Sequence, residues 1–104
     1  MKIIELDKAP EKENPHKVLA KGLFDTEQVQ VVHLELKPGE ALKLHKTPMN
    51  VFFYVLEGTG VVVIGDEEET VSKDTLIESP KAIPHLLRNE SDSLFRFLVV
   101  KLKE

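Results

Sequence analysis

From Lys17 onwards the chain is a series of short apolar runs separated by turn residues, and no window of about eleven residues repeats its apolar positions at the helical period. Val18 to Phe24 forms the first run and stops at the turn-like Asp25-Thr26. Gln28 to Lys37 alternates, with Val29, Val31 and His33 on one face and Val32, Leu34 and Leu36 on the other. Pro38-Gly39 ends it, because proline has no N–H to donate and glycine tolerates the turn. Ala41 to His45 predicts a short strand. Val51 to Leu56 and Val61 to Ile64 flank Glu57-Gly58-Thr59-Gly60, which predicts a hairpin. Gly65-Asp66 followed by Glu67, Glu68 and Glu69 predicts a second hairpin tip, with the acidic run as a solvated turn. Thr75 to Glu78, His85 to Arg88 and Leu94 to Leu102 complete a set of about nine or ten short strands, the pattern of an all-β sandwich or barrel.

Three runs are apolar on both faces: Val51 to Leu56, Val61 to Ile64, and Phe97 to Val100. A half-exposed antiparallel strand alternates, so continuous apolarity predicts that both faces are covered. A chain of 104 residues has one core and little material to spare for a second layer. A homodimer is therefore expected, with cover from the N-terminal arm as the alternative. That arm, residues 1–16, is polar around Pro10 and Pro15 and reads as loose, leading into a barrel over residues 17–104.

Composition narrows the function classes. With no Cys, neither a disulfide framework nor a thiolate metal site can form. A net charge of −4, with Lys and Arg scattered, argues against a nucleic-acid surface, so no nucleic-acid partner is expected. Only Ile3 and Ile4 precede charge at the start, and no segment approaches the ~20 apolar residues of a membrane-spanning helix. The expectation is a cytoplasmic protein with no membrane partner. Ser and Thr residues lie in no nucleophile-elbow pattern, and the five Gly are isolated at turns rather than gathered to cradle a phosphate.

The middle of the chain carries a spaced set: Gly39, five residues, His45, then Thr47, Val51 and Gly58; later Pro80, Ala82, His85 and, four on, Asn89. This order resembles the two motifs of the cupin superfamily, and Tyr54-Val55-Leu56-Glu57-Gly58 is similar to the end of the first motif. Arg96-Phe97-Leu98-Val99-Val100 resembles the family's last strand. The resemblance implies an antiparallel double-stranded β-helix, or jelly-roll barrel. It also implies a divalent metal held by two His and a Glu of the first motif and the His of the second. Here His45 and His85 match the first and last of those ligands, while Thr47 and Val51 stand at the other two. Asp74 and Ala82 stand where the family has glycines.

Val has no lone pair and a Thr hydroxyl is a feeble substitute for imidazole. A catalytic zinc normally keeps three protein ligands, and a non-haem iron oxygenase two His and a carboxylate. His45 and His85 alone would hold a divalent metal (Zn, Fe, Mn or Ni) only weakly. Two readings follow. In one, the barrel binds a small organic or anionic molecule in a pocket of His45, Thr47, Val51, Phe53 and His85, whose imidazoles titrate near neutral pH. In the other, a metal-dependent oxygenase or isomerase has rebuilt its site with His33 or Glu78. His16, in the polar arm, carries no functional expectation.

Overall fold

Eight strands carry the fold in the computed structural model, which describes residues 1–103: β1 (Leu19–Asp25), β2 (Val29–Leu36), β3 (Asn50–Glu57), β4 (Thr59–Ile64), β5 (Glu67–Ser72), β6 (Leu76–Ser79), β7 (His85–Arg88) and β8 (Phe95–Leu102). They form two antiparallel sheets, one of five strands in the order β1-β2-β8-β3-β6 and one of three in the order β5-β4-β7. The all-β, antiparallel double-stranded β-helix that the motifs implied is the architecture found. The last strand, β8, lies in the middle of the larger sheet, between β2 and β3.

Period-two alternation sorts the residues between the sheets from those outside. Leu34 and Leu36 of β2, Phe95, Phe97 and Val99 of β8, and Val51, Phe53 and Val55 of β3 are all buried and share the inner face. Val62, Val71 and Leu87 meet them from the smaller sheet, joined by Leu42 from the segment beside β7. The Phe53–Phe97 and Phe95–Phe97 rings pack at 6.2 and 5.1 Å between centroids, within the range of favourable aromatic contacts.

Two expectations about connections fail. Glu57 to Gly60 does not close a hairpin, because β3 and β4 belong to different sheets and the chain crosses the core there. Gly58 makes the bend at φ +84°, and a Cβ on Gly60 would collide with the Phe95 ring, so the glycines serve a close crossing. Nor is Glu67 to Glu69 a solvated turn. Only Gly65-Asp66 turns, and the three Glu open β5, which pairs along β4 from Ile64↔Glu67 to Thr59↔Ser72. Pairing with an apolar central strand overrides the low strand preference of Glu.

The short strand expected at Ala41 to His45 is an irregular segment bridged to β7. Leu42 N–H donates to the Leu87 carbonyl, and just before the segment Gly39 N–H donates to Asn89 O and Asn89 N–H to Glu40 O. The N-terminal arm is held rather than loose. Lys12 N–H donates to Ala20 O and Gly22 N–H to Pro10 O, while the Lys21 ammonium donates to Leu6 O in a short 3-10 turn, Leu6–Lys8. It pairs along the free edge of β1, and on the outer face of β3 and β8 Val100 is buried while Phe52, Tyr54 and Leu98 stay partly exposed. No helix among the described residues is long and apolar enough to cross a membrane.

Candidate functional site

His45 and His85 are forty positions apart, yet they face each other as a bridged pair that exchanges both backbone hydrogen bonds. His85 N–H donates to His45 O at 2.9 Å and His45 N–H to His85 O at 3.3 Å. Residues directly opposite in an antiparallel pair project to the same face, so the two rings must meet. They do, with centroids 4.6 Å apart and Nε2 to Nε2 at 3.2 Å.

The surrounding bonds fix which nitrogens carry protons. His45 Nδ1 lies 2.9 Å from the Lys43 carbonyl, which can only accept, so Nδ1 is protonated and a neutral His45 offers an Nε2 lone pair. His85 Nε2 then donates to His45 Nε2, and His85 Nδ1 accepts from the Ser79 hydroxyl at 2.6 Å. Thr47 Oγ1 sits 3.3 Å from His85 Nε2, and the Phe53 ring stands edge-on to His85 at 5.3 Å. Val51 lies opposite Ser79 on one side and Lys101 on the other, so these three share the inner face. The structure thus gathers His45, Thr47, Val51, Phe53 and His85 in one place.

Thr47, Val51, Phe53 and His85 are each less than 7% exposed, so this wall is packed rather than hollow. The accessible side is built by residues that sequence reasoning passed over. His16 of the arm packs on His45 with centroids 5.0 Å apart, and its Nδ1 accepts the Lys43 N–H at 2.7 Å, which puts the ring proton on Nε2, without a partner among the described residues. Lys101 projects inward beyond Val99, half-buried. Ser79 is buried behind His85.

The charged neighbours that shift these groups are lysines and imidazoles. Burial, then the neighbouring His45, Lys101 and His16, push His85 down to about 4, so it is neutral at pH 7 and does not titrate near neutrality as expected. His16 is lowered by burial and by His45, Lys43 and Lys101. Burial and then the neighbouring Lys12 and Lys103 lower Lys101.

The two residues expected to rebuild a metal site lie elsewhere. His33 alternates with Leu34 and projects from the opposite face of β2, where Arg96 Nη1 donates to its Nε2 at 2.8 Å and Glu57 accepts from Arg96 Nε at 2.7 Å. It is 1% exposed, and burial followed by Arg96 and Lys21 lowers its pKa to about 4. Glu78 is exposed and pairs with the outward-facing Phe52. The two Nε2 atoms at 3.2 Å suit neighbouring positions around one ion with Zn–N bonds of about 2.0–2.1 Å. Among the described residues, however, no three His, Cys, Asp or Glu side chains are placed to hold one metal ion, and the nearby cation Lys101 opposes a positive ion. The set does not fit a tightly held metal.

Comparison with known proteins agrees with this architecture. The family model for the cupin domain matches residues 32–101. A solved structure from Thermus thermophilus is 33% identical with a TM-score of 0.84, covering 99% of this chain and 98% of that one. A Thermotoga maritima structure described as a predicted oxalate decarboxylase superposes with a TM-score of 0.90 at 16% identity, over 99% of this chain and 100% of its own. An uncharacterised protein of Methanocaldococcus jannaschii is 29% identical over 80 residues, 76% of this chain and 69% of its own.

Proposed function

This chain belongs to the cupin family, and we propose that it binds a small organic anion at the cluster around His45 and His85. One observation carries the reading: among the described residues, the groups whose charge bears on the buried His85 are Lys101 and the imidazoles of His45 and His16, with no carboxylate beside them. The same holds for His16 and Lys101. An anion at the accessible side would meet the Lys101 ammonium and the His16 Nε2–H, charge-assisted partners that favour carboxylates. The alternative, a metal-dependent oxygenase or isomerase, loses support because His33 and Glu78 face away from the pair.

Isothermal titration with oxalate and succinate tests the proposal, oxalate being the compound named for the Thermotoga relative. Binding is expected to survive dialysis against EDTA, and Lys101→Gln is expected to weaken it about ten- to hundredfold. Binding that vanishes with EDTA would instead favour the metal-dependent reading. Equal affinity in the Lys101 variant would end the anion reading.

We extend the proposal to assembly. Phe52, Tyr54, Leu98 and Leu76 are the partly exposed apolar residues of the outer face of the larger sheet, and a homodimer formed through that face would cover them.

A further inference from the structure

A second cavity, of about 620 Å³, opens between the edge strands β5 and β6. Its apolar floor is Val62 and Ile64 of β4, Val71 of β5 and Ile77 of β6, with Ile83 at the lip. That volume falls in the range of small-molecule sites. The chemistry of its rim is one-sided. Asp66, Glu67, Glu69 and Glu78 line it, and no Lys or Arg does.

Two of these carboxylates are placed by register, not by chance exposure. Glu67 lies opposite Ile64 and Glu69 opposite Val62, while Val71 follows two residues on. Period-two alternation therefore turns Glu67 and Glu69 to the inner face that Val71 occupies, where this sheet is otherwise apolar. Among the described residues none of the four carboxylates joins a salt bridge. The nearby Arg88 is engaged by Glu68 and Glu90 instead.

We propose that this cleft binds a small organic cation, a primary amine with an apolar body, its hydrocarbon on Val62, Ile64 and Ile77 and its ammonium between Glu67 and Glu69. The argument is complementarity: an apolar floor that excludes water, beside unpaired carboxylates that attract a cation. It adjoins the cluster of the anion reading, since Ile64 pairs with His85 and Ile77 with Phe53, but it is lined by other residues and carries the opposite charge.

The test titrates methyl-labelled protein with hexylamine, hexanol and hexanoate, read by NMR. Hexylammonium is expected to shift the Val62, Ile64, Ile77 and Ile83 methyls. It should bind about five- to tenfold tighter than hexanol, an advantage lost in a Glu67→Gln, Glu69→Gln double variant. Both positions are exposed, so the variant should keep its fold, which its own spectrum verifies. Equal binding of the three probes, or shifts that map elsewhere, would overturn the proposal. The inward carboxylates would then serve only to keep the β5 edge from pairing with another chain.

Discussion

At the scale of single residues, the candidate site is a matter of proton positions. Ser79 and the Lys43 carbonyl fix the tautomers of His85 and His45. Burial keeps His85 and His33 neutral, each lowered to about 4. An unfolded chain would protonate both near the ordinary histidine value of about 6.5. Between pH 6.5 and 4 the unfolded state thus binds more protons, so stability is complete above pH 6.5 and falls as pH drops towards 4. Each histidine contributes a slope of up to about 1.4 kcal/mol per pH unit. Urea titrations at pH 7.0, 6.0 and 5.0 should show the decline, and His85→Gln should flatten it. An unchanged slope in the variant would contradict the assignment. Some of this site was legible beforehand. The meeting of His45 and His85 followed from motif spacing, and Lys101 was readable too, since alternation from Phe95 through Phe97 and Val99 leads to it. His16 was not legible: it sits in an irregular arm with no period to say where a side chain points.

At the scale of elements, turns and edges departed most from the sequence reading. Apolar strands announced themselves, but β5 hid behind Glu67 to Glu69, because its partner supplies what its own residues lack. Gly58 and Gly60 marked a bend whose nature, hairpin or crossing, is decided by which sheet β4 joins. Ala82 shows the reverse, a departure from the family pattern that acquires a physical meaning. The turn Pro80 to Ile83 is closed by Ile83 N–H to Pro80 O, and Ala82, its third residue, holds φ +65°. That is where a type II turn favours glycine. The left-handed conformation costs alanine about 1–2 kcal/mol, partly offset because glycine has more freedom to lose on folding. Ala82→Gly should therefore stabilise the protein by roughly 0.5–1 kcal/mol, seen as a rise of about 3–6 °C in Tm by calorimetry. A lower Tm would show that the turn does not carry this strain. The turn also positions the site, since Ala82 N–H donates to the carbonyl of Thr47.

At the scale of the whole molecule, the runs apolar on both faces pointed to an outer layer that the arm does not supply. Leu76 is 50% exposed, and Phe52 and Tyr54 are partly exposed beside it. Sedimentation equilibrium should return twice 11.8 kDa, and Phe52→Glu should return the single mass while leaving the circular dichroism intact. A wild-type monomer would refute the dimer. The position of β8 has a further consequence. Because β2 and β3 touch only through it, the larger sheet stays split until residues 95–102 have left the ribosome. Closure of that sheet must then wait for β8, and a nascent chain halted at β7 would display two hydrophobic half-sheets to any chaperone waiting at the exit tunnel.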